Sequence, residues 1–408
     1  MTPVTSRPIR AILFCNEMLG LGHLSLSLAV AEALVGEPAP AESAPGEHNS
    51  PSALVVSGSP AFASRGTTPG VDVLKLPTLP VGPDSGWAAT SLQPMSGLAM
   101  SEPAVRALRE SLCLAAVRSL RPDVAVVDYR PLGRGGELAR ALEWLRAETN
   151  CTIAFGMWDV DDAAPRLRRD WTDELTVRVG QFYDLALVYG TPAPDDPRIE
   201  ALRAAGVPIY ETGLVGVRPA DDPPQDLGDG YLLVTAGGGV DGFPLLRAVL
   251  EEIRARPLPL RAVLVSGPLM AADRVAELRT LAADLDVRLE GSRPDMDRLL
   301  AGARAVIAMA GYCTVAEILA SGRPALLVPR AFPRKEQLNR ARRWAAAGRV
   351  EMVEPDRLET PDFRQAIDRL LTRAPRPGLA LTGAGDAARI LRGHQAKALP
   401  VVPAATAR

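Results

Sequence analysis

Residues 304–340 contain the pattern that most restricts how this chain can fold. An apolar run over 305–309 precedes a turn of small residues, a segment of helical period that ends at Gly322, and a second apolar run over 325–328. Short apolar runs bounded by turn residues predict buried strands, and the 3.6-residue period predicts a helix. The stretch therefore predicts a strand, turn, helix and strand in a parallel α/β sheet.

The same alternation begins twice along the chain. Residues 9–14 lead through a glycine-containing turn into a predicted helix over 24–34, and residues 231–235 start a second series. A chain of 408 residues is long for one core and suits two domains of roughly 200 residues. The sequence predicts an α/β protein with two Rossmann-like domains that face each other across a cleft. The predicted units are an N-terminal domain at 1–212, a C-terminal domain at 213–393 and a disordered tail at 394–408.

Composition excludes several classes of protein. The net charge of −2 gives no basic excess for nucleic acid. The four cysteines are far apart and predict reduced thiols, because they form neither a disulfide framework nor a zinc-ligand spacing. No apolar run reaches the roughly 18 residues of a membrane span, and the first run is too short for a signal peptide. We expect a cytoplasmic monomer or homodimer that does not bind nucleic acid, and peripheral membrane contact stays open.

The turn at 311–314 lies where a strand ends and a helix begins. Free N–H groups and the helix dipole attract anions at such a point, so Gly311, Tyr312, Cys313 and Thr314 are placed to offer N–H groups to a phosphate. Glu317 follows on the first helical turn, where a carboxylate is explained by hydrogen bonds from sugar hydroxyls. The alternative is a glutamate that only stabilises the helix start.

Three consecutive glycines, Gly237, Gly238 and Gly239, follow the first strand of the second half. Glycine allows a close approach of backbone to a ligand, which suggests the other side of a diphosphate site; a plain tight turn is the alternative.

His23 and Asp128 are candidates for acid–base chemistry. The turn that ends in His23 is not a dinucleotide fingerprint, because Ser25 occupies the third glycine position. Histidine titrates near neutrality and can take a proton from a hydroxyl. Asp128 ends a predicted strand, where a carboxylate can orient the imidazole. The alternatives are a histidine bonded to local backbone at a helix start and a solvated aspartate.

The segment from Gly311 to Glu317 resembles the Gly-aromatic-x-Ser/Thr-x-x-Glu signature of the C-terminal domain of GT-B glycosyltransferases. Pro329, followed by Glu336, Gln337 and Asn339, resembles the next conserved segment of that superfamily. The Gly-x-Gly-His turn is similar to that of the lipid II-forming N-acetylglucosaminyltransferase family and of nucleotide-sugar hydrolases that share its fold.

The resemblance implies a role for each donor-site residue. Glu317 would hold the donor ribose, the turn at 311–314 the diphosphate, and Glu336 and Gln337 the hydroxyls of the transferred sugar. The segment 291–296, with Arg293 and Met296, would surround the nucleotide base. Cys313 departs from the pattern, since related plant enzymes carry asparagine there.

The implied activity is an inverting transfer of a sugar from a nucleoside diphosphate sugar, with UDP favoured, to a hydroxyl of a small-molecule or lipid acceptor. His23 would be the general base, and no metal or other cofactor would be required. The acidic run at 159–162 contains an Asp-x-Asp pattern, which in a different glycosyltransferase fold holds a divalent ion on the diphosphate; we expect no metal here, because the helix start already offers the phosphate a site. Acceptor recognition is expected in the long segment 77–100, for which a flexible surface loop is the alternative. The alternative functions are a nucleotide-sugar hydrolase or epimerase on the same fold and a non-catalytic nucleotide-sugar binding partner.

Overall fold

The computed structural model describes residues 8–15, 21–36, 50–62, 67–79, 98–160, 162–228 and 230–398. Most of the predicted acceptor loop at 77–100, the first part of the turn before His23 and residues 399–408 lie outside these ranges.

The described part of the N-terminal half contains a seven-stranded parallel sheet. Its strands are β1 (Arg10–Phe14), β2 (Ser52–Ser57), β3 (Val71–Lys75), β4 (Val124–Asp128), β5 (Thr152–Trp158), β6 (Leu185–Tyr189) and β7 (Ile209–Thr212). The strand order is β3-β2-β1-β4-β5-β6-β7, so the chain changes direction across the sheet between β1 and β4. These two strands are paired, with Phe14 opposite Val127.

Helices cover both faces of this sheet. They are α1 (Gly22–Val35), α2 (Glu102–Leu120), α3 (Ala139–Glu148), α4 (Ala164–Asp170), α5 (Asp173–Phe182) and α6 (Pro197–Ala204). Ser101 caps α2, because its hydroxyl accepts a hydrogen bond from the N–H of Ala104 (3.4 Å). Two apolar cores result, one on each face.

The described part of the C-terminal half repeats the arrangement with six parallel strands. They are β8 (Tyr231–Thr235), β9 (Ala262–Val265), β10 (Val287–Glu290), β11 (Ala303–Ala308), β12 (Ala325–Leu327) and β13 (Glu351–Met352). Their order is β10-β9-β8-β11-β12-β13, which places the change of direction between β8 and β11. The accompanying helices are α7 (Phe243–Ala255), α8 (Ala272–Ala282), α9 (Met296–Gly302), α10 (Tyr312–Ser321), α11 (Glu336–Ala346), α12 (Pro361–Thr372) and α13 (Gly383–Ala398).

These two sheets confirm the predicted fold class. Ligands of open parallel sheets bind beyond the carboxyl ends of the strands at the change of direction. The turns after β1 and β4 and the turns after β8 and β11 are therefore the four positions where the fold favours a site.

The C-terminal helix corrects one detail of the predicted domain plan. Helix α13 continues to Ala398, past the predicted start of the tail at 394. Its residues Ala387, Ala388 and Leu391 are buried in the core that contains α1. Helix α1 is apolar on most of its surface because it packs on the sheet and against α13. The last helix of the chain thus packs on the N-terminal half.

Helices long and apolar enough to cross a membrane are absent from the described residues.

Candidate active site

A cavity of about 290 Å³ lies between the two halves and is lined by residues of both. It contains every residue that the sequence analysis assigned to the site except Asp128, which contacts His23. These lining residues are His23, Gly237, Gly238, Gly239, Arg293, Met296, Gly311, Tyr312, Cys313, Thr314, Glu317, Glu336 and Gln337. The fold therefore brings together segments that are up to three hundred residues apart in the chain.

His23 and Asp128 form a buried pair on the N-terminal side of this cavity. The distance from His23 Nδ1 to Asp128 Oδ2 is 2.6 Å, and the two side chains are 7% and 2% exposed. They meet because α1 follows β1 and Asp128 ends β4, the neighbouring strand. A carboxylate beside Nδ1 favours the tautomer with the proton on Nδ1, so Nε2 is the basic nitrogen.

The start of α10 forms the opposite side of the cavity. Gly311 is the N-cap, and the N–H of Val315 makes the first helical hydrogen bond, to Gly311 O (2.9 Å). The N–H groups of Tyr312, Cys313 and Thr314 therefore have no acceptor within the helix. Together with the helix dipole they favour an anion at this position.

The glycine turn after β8 allows a ligand to approach the backbone closely, but it uses two of its own N–H groups internally. Gly237 and Gly239 have φ angles of +61° and +95°, which L side chains rarely adopt. The N–H of Gly237 donates to Thr235 Oγ1 (3.2 Å), and the N–H of Gly239 donates to Ala236 O (3.2 Å). The turn itself therefore uses the N–H groups of these two glycines.

The glycine turn and the start of α10 lie close together. A Cβ atom placed on Gly237 and one placed on Gly311 would each lie 3.7 Å from Thr314 Oγ1. The Thr314 hydroxyl therefore lies between the two turns, where both can contact one ligand group.

Glu317 lies one turn along α10 and reaches the segment that connects the two halves. Its Oε1 accepts a hydrogen bond from the N–H of Val217 (3.3 Å). The carboxylate lines the cavity beside the helix start. This position allows it to accept hydrogen bonds from hydroxyls of a ligand whose phosphate lies at the start of α10.

Glu336 and Gln337, at the start of α11, surround a buried arginine. Arg330 forms an ion pair with Glu336, its Nε is 3.3 Å from Asp241 Oδ2, and its N–H donates to Gln337 Oε1 (3.2 Å). Burial lowers the pKa of Arg330 and raises the pKa of Asp241, and their mutual attraction opposes both shifts. Glu336 Oε2 is buried and has no hydrogen-bond partner among the described residues. This carboxylate oxygen can accept a hydrogen bond from a ligand.

Arg293 lines the cavity, but its guanidinium forms ion pairs with two carboxylates. Its guanidinium lies 2.8 Å from Asp226 and 2.7 Å from Asp295, and hydrogen bonds to both raise its pKa. These contacts fix the 291–296 loop against the segment before β8. The side chain of Met296, in the same loop, also lines the cavity.

Tyr312 and Cys313 connect the start of α10 to the N-terminal half. The buried Tyr312 hydroxyl donates to Tyr189 O (3.0 Å) and accepts from the N–H of Val215 (3.0 Å). Burial raises the pKa of Tyr312 well above its ordinary value. Cys313 Sγ is 3.4 Å from Gly22 O, at the start of α1. The side chain of Tyr312 therefore has an interdomain role that the sequence analysis did not predict.

Several lining residues were missed by the sequence analysis: Tyr129, Trp158, Arg330, Arg334 and Arg340. Trp158 stacks on His23, and the Tyr129 hydroxyl is 3.3 Å from Arg334 Nη1, across the cavity. The sequence contained a signal for Tyr129 and Trp158, because both stand at the carboxyl ends of predicted strands, as Asp128 does. The three arginines carry no such signal.

The acidic run at 159–162 forms ion pairs. Asp159 Oδ2 is 3.4 Å from Arg343, and Asp162 Oδ2 is 3.7 Å from Arg334, both in the C-terminal half. Burial raises the pKa of Asp159, and neighbouring arginines oppose that shift. These contacts join the two halves; Asp161 lies outside the described residues.

The fold is shared with solved glycosyltransferase structures. The glycotransferase of kitacinnamycin aligns over 96% of both chains with a TM-score of 0.57 and 17% identity. MurG of Acinetobacter baumannii aligns over 95% of this chain and 100% of its own, with a TM-score of 0.52 and 13% identity. At these identities the likeness establishes the two-domain fold.

Sequence comparison adds the activity class. Residues 232–383 match the glycosyltransferase family 28 C-terminal domain. Over 311 residues the chain is 27% identical to the UDP-N-acetylglucosamine--N-acetylmuramyl-(pentapeptide) pyrophosphoryl-undecaprenol N-acetylglucosamine transferase of Phenylobacterium zucineum (strain HLK1). That alignment covers 71% of this chain and 77% of the relative. The chain is a GT-B glycosyltransferase.

The matched domain of this glycosyltransferase contains the glycine turn, the start of α10 and the pair Glu336 and Gln337. His23 and Asp128 lie outside it, in the N-terminal half. The two sides of the cavity thus come from different domains, as the predicted cleft requires.

Proposed function

We propose that this glycosyltransferase moves a sugar, with inversion, from a nucleoside diphosphate sugar to an acceptor hydroxyl, with His23 as general base. One observation carries the proposal. His23, which is bonded to Asp128, and the start of α10 line the same cavity from opposite domains. The acceptor hydroxyl needs a base in order to attack, and the departing diphosphate needs an anion site. One cavity provides both.

The donor would lie along the C-terminal side. Its diphosphate would bind at the start of α10 and beside the glycine turn, and its ribose would bind Glu317. The transferred sugar would contact Glu336 and Gln337, where the buried Oε2 of Glu336 can accept a hydrogen bond from a hydroxyl.

The chemical step would follow from this arrangement. His23 Nε2 takes the proton from the acceptor hydroxyl, and the oxygen forms a bond to the anomeric carbon. The bond from that carbon to the diphosphate oxygen breaks, and the electron pair leaves with the diphosphate. In-line attack inverts the anomeric configuration. Asp128 stabilises the imidazolium, and N–H groups at the start of α10 stabilise the charge on the leaving group.

We propose a UDP-sugar as donor and a lipid-linked hydroxyl as acceptor. The relative from P. zucineum carries UDP-N-acetylglucosamine and a pyrophosphoryl-undecaprenol acceptor in its name. A small-molecule acceptor is the second candidate, favoured by the fold shared with the kitacinnamycin enzyme. We also propose that no metal ion takes part, that the enzyme is a monomer or homodimer, and that a lipid acceptor entails peripheral contact with a membrane.

Donor binding is tested first. Thermal shift with UDP-, dTDP- and GDP-sugars, with and without EDTA, should give a UDP-selective stabilisation that EDTA does not remove. A thermal shift that EDTA abolishes would contradict the metal-independent reaction. A shift with dTDP- or GDP-sugars instead would identify a donor other than a UDP-sugar.

The base is tested by turnover with the donor that binds. His23→Ala should abolish transfer while donor affinity stays within about twofold of wild type, because the donor would be bound by residues of the C-terminal half. His394→Ala is the matched control, since this histidine lies on α13 and contacts Tyr210. Unchanged transfer in His23→Ala would remove His23 from the mechanism. Release of free sugar in the presence of lipid and small acceptors would favour the hydrolase.

A further inference from the structure

We propose that Trp158 is a positioning residue for His23, and that its indole is held in place by residues of the donor-binding domain. This inference rests on the proposed role of His23 as general base. It extends that role, because the base would be aligned only when the two domains are packed together.

The contact between the two rings is direct. The His23 imidazole and the Trp158 indole are stacked, with centroids 4.0 Å apart and an interplanar angle of 14°. The indole also packs against the backbone that precedes the histidine, since a Cβ on Gly22 would lie 3.7 Å from its Cζ2 atom. Asp128 fixes one edge of the imidazole through Nδ1, and Trp158 covers one face. Two contacts of different geometry therefore restrict rotation of the ring.

The opposite domain supports the indole. Tyr312 stacks on Trp158 at a centroid distance of 5.5 Å and an angle of 10°. The Arg340 guanidinium carbon lies 5.5 Å from the centroids of both rings. Arg340 also donates to Val160 O (3.2 Å) in the N-terminal half and to Ala310 O (3.0 Å) in its own half. The series His23, Trp158, Tyr312 thus crosses the domain boundary and ends at the first residue of α10.

The stack also contacts the imidazole in its charged form. The face of an indole attracts a cation, so the indole can stabilise the imidazolium that forms when His23 takes a proton. The titratable and charged groups around His23 come from each neighbouring element: Asp128 and Tyr129 after β4, Cys313 on α10, Arg340 on α11 and Arg334 through Tyr129.

The test compares Trp158→Leu, which removes the π face, with Trp158→Phe, which keeps one. The first readout is the width of the His23 imidazole proton signals in NMR spectra of the free enzyme. The chain has three histidines, so the signals missing from His23→Ala assign them. In Trp158→Leu these signals should broaden or split, because one of the two contacts that restrict the ring is lost. In Trp158→Phe they should stay narrow, as in wild type.

The second readout is steady-state kinetics. In Trp158→Leu, kcat should fall at least about tenfold with donor KM within about twofold, and Trp158→Phe should recover most of kcat. The matched control is Trp171→Leu, which removes an indole that packs on Phe155 in the same domain. It should lower Tm without broadening the His23 signals.

The proposal would be overturned if the His23 signals stayed as narrow in Trp158→Leu as in wild type, or if Trp158→Phe did not recover the lost kcat. The NMR readout needs no turnover and no substrate. Failure of the positioning role is therefore distinguishable from failure of His23 as a base, which the turnover of His23→Ala reports.

Discussion

Replacing Asp128 by Asn tests the most specific contact of the proposed mechanism. The change keeps the size of the side chain and removes the carboxylate that lies 2.6 Å from His23 Nδ1. An amide can donate to Nδ1, which places the imidazole proton on Nε2 and removes the basic nitrogen. It also removes the charge that stabilises the imidazolium.

The size of the effect follows from the burial of the pair. Both side chains are less than one-tenth exposed, so water does not replace the lost contact. A hydrogen bond to a charged group contributes about 1.5–3 kcal/mol, and each 1.4 kcal/mol corresponds to about tenfold in rate. We expect kcat to fall about 10- to 150-fold. Donor affinity should stay within about twofold, because Asp128 does not line the donor cavity.

The assay measures initial rates of sugar transfer, donor affinity by calorimetry and Tm on the same preparations. The matched control is Asp72→Asn, an exposed aspartate on β3 of the same sheet, which should leave all three unchanged. If kcat of Asp128→Asn stayed within about twofold of wild type while Tm was unchanged, Asp128 would not be needed to orient His23 or to stabilise its imidazolium, and the proposed role would be refuted.

Three further changes probe the donor site and the domain boundary. Glu317→Gln should weaken donor binding about tenfold in calorimetry, because a neutral amide replaces a carboxylate acceptor; equal affinity would exclude a ribose contact. Tyr312→Phe removes a hydroxyl bonded to Tyr189 O and the N–H of Val215, and should lower Tm by about 2–10 °C in calorimetric scans. An unchanged Tm would show that these bonds do not stabilise the boundary. Burial raises the pKa of Asp159. The contribution of Asp159 to the free energy of unfolding is therefore fully present below the ordinary carboxyl pKa and is lost as pH rises through the raised value. The Tm of Asp159→Asn relative to wild type should therefore increase between about pH 4.5 and pH 7.5, and a constant difference would contradict this sign.

Much of the proposed donor site was predictable because its residues are close in sequence. Gly311, Cys313, Thr314 and Glu317 belong to one turn and the first helical turn after it, so spacing alone places them on one side of a ligand. His23 and Asp128 were predictable for a different reason. Both follow strands of one parallel sheet, whose carboxyl ends meet at the same edge.

The sequence did not predict which partners several groups use. Arg293 was predicted beside the nucleotide base, and the structure adds that Asp226 and Asp295 bind its guanidinium. The turn at Gly237 uses its own N–H groups, which depends on a side chain two residues earlier, Thr235. Helix α13 packs against the N-terminal half, because its apolar residues complete the core around α1.

The sequence by itself determined the alternation of strands and helices and the two-domain α/β fold, and it predicted an anion site at the start of α10. These features depend on residue period, turn chemistry and the free N–H groups of a helix start, all of which are local to a few neighbouring residues. Only the tertiary structure decided that Trp158 stacks on His23, that Tyr312 is a buried contact between domains, and that α13 crosses back to the first domain. Those contacts depend on how side chains from segments hundreds of residues apart pack against each other in the core. A local sequence pattern does not predict that packing.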